Sequence, residues 1–203
     1  MMREHKPYDP LDYDNLTVNL VRELMSRPPL GLPLPDRFPG PGVYALFYNG
    51  DYGPYARLRS ADATQPIYVG KAVPPGARTG GSAPDESEPV LHRRIGEHVR
   101  SLEAAENLRL ADFACRHLVV VPLWITMAER FLIEHYQPCW NVCIAGFGLH
   151  DPGSGRHAGQ RSWWDTLHPG RAWADNLRPR EKADVEARLS AFTEGREVIP
   201  KTP

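Results

Sequence analysis

The sequence predicts a small α/β domain in which a three-stranded sheet is flanked by helices, preceded by an N-terminal helical arm and followed by a C-terminal extension. Two observations carry this reading. Runs rich in β-branched and aromatic residues occur at 42–48, 66–70 and 115–122, and stretches at 89–104 and 124–137 repeat their apolar residues at helical spacing. The resulting order, β-β-α-β-α, is one that a single layered core accommodates, and 203 residues are enough to bury one sizeable core.

Taken along the chain, residues 11–26 read as an amphipathic helix, with Leu16, Leu20, Val21 and Leu24 on one stripe and Asp12, Asp14 and Arg22 elsewhere. Arg27-Pro28-Pro29 ends it. Six prolines between 28 and 41 predict a stiff, extended connector, so residues 1–41 are expected to form an arm set apart from the core at 42–145. Gly42-Val43-Tyr44-Ala45-Leu46-Phe47-Tyr48 is the first strand, 49–65 a long loop, and Pro66-Ile67-Tyr68-Val69-Gly70 the second strand. The helix at 89–104 buries Leu91, Ile95, Val99 and Leu102; a strand at 115–122 and a helix at 124–137 complete the core. Beyond Asn141 the pattern breaks at Gly146, Gly148, Pro152, Gly153, Gly155 and Gly159, so 146–203 is an extension, closed by a helix at about 180–193 with Val185, Leu189 and Phe192 on its apolar side.

Composition excludes several function classes. With 24 Lys+Arg against 25 Asp+Glu the net charge is −1, and each third of the chain is within one charge of neutral, so any polyanion must be met by a local basic patch. No window holds the roughly 18 consecutive apolar residues of a membrane span, and no apolar run follows the N-terminus; a cytoplasmic protein with no membrane partner is expected. Cys115, Cys139 and Cys143 lack the paired spacing of a zinc ribbon or disulfide framework. His135, Cys139 and Cys143 are spaced for one helix face, but Pro138 interrupts the helix that spacing needs. Gly70-Lys71-Ala72 has neither the upstream glycine nor the following Ser/Thr of a phosphate-binding loop, which argues against an NTPase.

Several residues stand out chemically. On the wheel of the helix at 124–137, Glu129 falls among Ile125, Leu132, Ile133 and Tyr136. A carboxylate inside an apolar stripe calls for an arginine partner, a metal or a catalytic role, and an ion pair with Arg94 or Arg130 is the plain structural alternative. Arg94 and His98, four apart, lie at the border of their helix's apolar stripe, placed to reach a cleft or to line an ordinary surface. Tyr44 and Tyr68 lie in adjacent strands, and Lys71 follows the second.

Gly42-Val43-Tyr44, Tyr68-Val69-Gly70-Lys71, Arg94 with His98, Glu129 and Asn141 resemble, in order and type, the GIY-YIG nuclease superfamily, over about residues 40–145. Valine replaces isoleucine in both signatures, and the Tyr44–Tyr68 interval is longer than usual, as for a hairpin with an inserted loop. The arm, the enlarged loop and the tail containing Gly146-Phe147-Gly148-Leu149-His150 and Ser162-Trp163-Trp164-Asp165 are similar to the small type II restriction endonucleases, in particular the branch that cuts CCGCGG.

The resemblance implies Mg²⁺-dependent hydrolysis of double-stranded DNA, with Mn²⁺ able to substitute, by a homodimer paired functionally with a cognate DNA methyltransferase. It implies Glu129 as metal ligand, Arg94 neutralising the scissile phosphate, and Tyr44 as general base or water-orienting phenol, its pKa lowered by a cation such as Lys71. Tyr68 and His98 would orient that network, and Asn141 would anchor its loop through backbone hydrogen bonds. Arg93, His150, Arg156, His157 and Arg161 are the candidate DNA contacts, arginine being suited to guanine edges. Trp163 and Trp164 either stack on DNA or form the tail's own small core. A repair or mobile-element nuclease without strict site specificity, and a non-cleaving DNA-binding protein on the same fold, are the alternatives.

Overall fold

The structure is a computed structural model that describes residues 9–74, 87–153 and 158–195. Its elements are α1 (Tyr13–Ser26), β1 (Leu30–Gly31), β2 (Gly42–Tyr48), β3 (Tyr68–Ala72), α2 (Val90–Ala104), β4 (Phe113–Val119), α3 (Ile125–Tyr136), α4 (Cys139–Val142), α5 (Trp163–Leu167) and α6 (Lys182–Thr193). The sheet is antiparallel with the order β1-β4-β2-β3. It therefore has four strands, the fourth being a two-residue pairing of Leu30 and Gly31 with Cys115 and Ala114.

β2 is buried along its whole length because both faces of the sheet are covered. Successive side chains alternate sides. Val43, Ala45 and Phe47 pack with Leu24, Val69, Ile125, Ala128 and Leu132 against α1 and α3. Tyr44, Leu46 and Tyr48 join the larger core built with α2, α4 and the C-terminal segment, which includes Leu91, Ile95, Trp140, Phe147 and Trp164. An unbroken apolar strand thus reflects two buried faces.

The N-terminal helix is not set apart. Leu24 is completely buried against the sheet, and Tyr13 meets Phe131 of α3 edge to face at 4.4 Å. Arg116, projecting from β4, fixes the end of the helix: its guanidinium donates to the carbonyls of Met25 (3.0 Å), Arg27 and Ala63 (3.2 Å). These include carbonyls that a helix C-terminus leaves unpaired. The prolines after α1 consequently route the chain onto the sheet, as β1, and do not hold the helix away from it.

The loop 49–65 also packs inward. Gly53–Leu58 forms a 3-10 turn that buries Tyr55. The Tyr55 hydroxyl receives Trp140 Nε1–H (2.9 Å) and donates to His168 Nε2 (2.5 Å), while His168 Nδ1–H donates to Asn107 Oδ1 (2.8 Å). Asn107 Nδ2 donates in turn to the Leu167 carbonyl, which fixes the amide orientation and the imidazole tautomer. Every polar group in this buried chain has a partner, as its burial requires. Among the described residues no helix is long and apolar enough to cross a membrane.

Candidate active site

The site begins with β2 and β3. Their register sets Tyr44 opposite Gly70, and a Cβ on Gly70 would lie 2.3 Å from the Tyr44 hydroxyl oxygen, so only glycine leaves room for the phenol. At the strand start, a Cβ on Gly42 would meet the Leu118 carbonyl oxygen at 2.0 Å, which makes that glycine a condition of the β2–β4 pairing. The side chain of Tyr44 is completely buried and its hydroxyl reaches His98 Nε2 of α2.

α2 supplies the opposite wall. Arg94 and His98 share one helix face: His98 turns into the core, where the Phe147 ring stacks on it at 4.4 Å, and Arg94 turns into a cleft of about 380 Å³. Tyr68, Lys71, Glu129 and His150 also line this cleft. Arg94 Nη1 pairs with Glu97 Oε2 (2.7 Å) and contacts His150 Nε2, and Arg94 Nη2 donates to the Gly148 carbonyl (2.8 Å). Across the cleft, Lys71 Nζ stands 2.8 Å from Glu129 Oε2, with side-chain exposures of 25% and 23%. Glu129 is thus at the rim, not sealed in the core, and its partner is neither Arg94 nor Arg130; Arg130 pairs with Glu134. Asn141, from α4, brackets one residue of β3: its Oδ1 accepts from Val69 N–H and its Nδ2 donates to the Val69 carbonyl, both at 2.8 Å.

Electrostatics correct one expectation. Burial drives the Tyr44 phenol well above its ordinary pKa, Tyr68 adding to the rise and Arg94 opposing it. Lys71 is engaged with Glu129 and does not acidify Tyr44. Burial also raises Tyr68, against the pull of Arg94, and lowers His98 well below the usual imidazole range, with Arg94 reinforcing the drop. The pair therefore rests as a neutral phenol donating to a neutral imidazole.

The structure brings together Tyr44, Tyr68, Lys71, Arg94, His98, Glu129 and, in support, Asn141. Arg93 and His150 join them at the cleft. Arg161 does not: its guanidinium is held within the C-terminal segment by the Ala174 carbonyl and Asp175, both at 3.0 Å. Arg156 and His157 lie outside the described residues. Trp164 is completely buried in the core and cannot stack on DNA; Trp163 is partly buried under the Arg180 guanidinium, 3.9 Å from its ring centre. Sequence reasoning missed Glu97 and Gly148. Glu97 had a usable signal, since an acid three residues from Arg94 on a helix is its neighbour. Gly148, 54 residues away, had none.

A divalent cation suits this donor set only in a particular way. Among the described residues no group of three or more His, Cys, Asp or Glu forms a metal cage. One cleft carboxylate is sufficient for Mg²⁺, which keeps several waters and takes the rest of its ligands from a substrate phosphate. Glu129 meets that description, being paired at the cleft with Lys71 as Glu97 is with Arg94.

The family model described as the Eco29kI GIY-YIG domain matches residues 36–193. Comparison with curated proteins gives no match.

Proposed function

The chain belongs to the Eco29kI GIY-YIG domain family, and from that membership in a family of restriction-type nucleases we propose a type II restriction endonuclease that hydrolyses double-stranded DNA at a GC-rich palindrome of the CCGCGG kind with Mg²⁺. The observation that carries the reading is the meeting of Tyr68, Lys71, Arg94 and Glu129 around one open cleft, with the Tyr44–His98 pair directly behind it.

Hydrolysis needs positive charge on the phosphate, a proton acceptor for the attacking water and a proton donor for the departing alkoxide. Arg94 supplies the first by exchanging Glu97 or His150 for phosphate oxygens, a planar fork being suited to that contact. Tyr68 faces the cleft next to Arg94, and its hydroxyl interacts with that of Tyr44. Tyr68, backed by Tyr44 and His98 Nε2, therefore orients the attacking water, whose proton leaves to solvent through the open cleft. Lys71 orients the Glu129 carboxylate. Glu129 would hold a divalent cation, which would supply positive charge at the phosphate and a bound water acidic enough to give the departing alkoxide its proton. Arg93 and His150 stand at the cleft mouth to meet the duplex.

A palindromic site presents two scissile bonds related by a two-fold axis, so the acting species is a symmetric homodimer, and a cognate DNA methyltransferase protects the host site. Incubation of the purified protein with plasmid carrying CCGCGG and Mg²⁺, followed by sequencing of the ends, is expected to give discrete double-strand breaks at that site. A smear or scattered nicks would favour the repair or mobile-element reading. Binding without cleavage would favour a non-cleaving protein.

A further inference from the structure

Arg171 lies outside the cleft, yet three of its guanidinium hydrogen bonds go to the segment 146–150 that borders it. Nε and Nη2 donate to the two carboxylate oxygens of Asp165 (2.6 and 2.8 Å). Nη2 also donates to the Gly146 carbonyl (2.9 Å), and Nη1 to those of Phe147 and Leu149 (3.0 Å each). Both partners of the Arg171–Asp165 pair are almost completely buried, with side-chain exposures of 5% and 1%. All five donors of the fork are thus satisfied, three of them by carbonyls of one short segment. Gly146 has φ +125 and Ser162 Oγ lies 2.1 Å from where its Cβ would be, so the segment has little freedom at its start.

What that segment carries is the back of the active site. The Phe147 ring stacks on His98 and meets Tyr68 edge to face at 5.0 Å. The Gly148 carbonyl accepts from Arg94, and a Cβ on Gly148 would stand 2.6 Å from the Tyr68 hydroxyl oxygen. His150 then touches Arg94 from the other side. We infer that Arg171, held by Asp165, is a positioning residue for DNA cleavage, setting Gly146–His150 so that the Gly148 carbonyl and the Phe147 ring fix Arg94, Tyr68 and His98 in their working geometry. The C-terminal extension is in this respect part of the catalytic apparatus.

The inference rests on the nuclease reading above, and the experiment separates the two. Single-turnover cleavage of a CCGCGG duplex, duplex affinity in Ca²⁺ and the thermal midpoint are measured for the wild type, Arg171→Lys, Arg94→Lys and the double variant. Arg171→Lys keeps a charge for Asp165 but cannot reach the three carbonyls. A misplacement of about 1 Å costs about 10²-fold in rate, so a loss of that order is expected, with affinity within about threefold of wild type. Because part of the effect acts through Arg94, the double variant is expected to lose clearly less than the product of the two single losses, the signature of coupled sites. If Arg171→Lys does not fold, Gly148→Ala, in the same cycle with Arg94→Lys, presses on the Tyr68 hydroxyl without touching the buried pair and is expected to be coupled in the same way. Wild-type rates in the folded Arg171→Lys protein, or losses that multiply independently of Arg94, would overturn the positioning role while leaving the nuclease standing. A wild-type protein that cuts no duplex overturns the nuclease reading and this inference with it.

Discussion

Glu129 combines two demands on one side chain. Lys71 neutralises it at 2.8 Å, and about a quarter of each side chain is left in contact with solvent, where a pair of this kind contributes little to stability. Its value is positional: the lysine holds the carboxylate toward the cleft without removing it from water. Glu129→Gln keeps the shape and removes the charge. Cleavage in Mg²⁺ is expected to fall at least about 10²-fold, while duplex affinity in Ca²⁺ and the thermal midpoint stay close to wild type. A near-normal cleavage rate in Glu129→Gln would refute the assignment of Glu129 as the metal ligand. The partner itself was invisible to a helical wheel, because Lys71 is on a strand 58 positions earlier and only tertiary packing joins them. Arg94 and His98 could be found from their spacing and Tyr44 from the resemblance its strand motif carries, but the reversal of the expected Tyr44 acidity could not, since burial depends on the whole fold.

Among the elements, those with a long period were legible: β2 over Gly42–Tyr48 and the three helices α1, α2 and α3 fall within a few residues of expectation. The short elements were not. β1 owes its existence to pairing with β4, and α5, five residues long, has a capping serine at 162 but no amphipathic pattern to announce it. The largest departure is α1, whose stripe was recognised but whose docking site was not, because six following prolines suggest separation more readily than a fold-back. With Leu24 fully buried among Val43, Ala45 and Phe47, Leu24→Ala is expected to cost about 2–5 kcal/mol of unfolding free energy. Urea denaturation checks this. A loss below about 0.5 kcal/mol, the range of ordinary surface substitutions, would mean the helix does not cover the sheet in solution.

For the molecule as a whole, two buried histidines couple folding to pH. Burial, with Arg171 and Lys182 reinforcing it, lowers His168 to about 3, and burial lowers His98 in the same direction. Both have an ordinary pKa of 6.5, so the unfolded chain takes up protons below that value while the folded chain does not. The stability due to this difference is fully present above pH 6.5 and is lost as pH falls from there toward the folded pKa values, by up to about 1.4 kcal/mol per pH unit for each histidine. A thermal midpoint that drops between pH 7 and pH 5 is therefore expected. A flat profile over that interval would show that neither imidazole is held neutral by the fold.

The bracket that Asn141 places on Val69 also occupies part of the sheet's margin. β3 is the outermost strand on its side, and α4 answers part of its outer edge: Val69 by the Asn141 amide and, just before the strand, Ile67 by the Trp140 N–H at 2.9 Å. The opposite margin is β1, only two residues long. Among the described residues the margins of the sheet are thus partly occupied, by α4 along β3 and by β1 on Ala114 and Cys115 of β4, which shortens the run open to edge-to-edge pairing. A two-fold assembly built from helix and loop surfaces would leave the sheet of each protomer unshared and the geometry between the two clefts free of any common strand register.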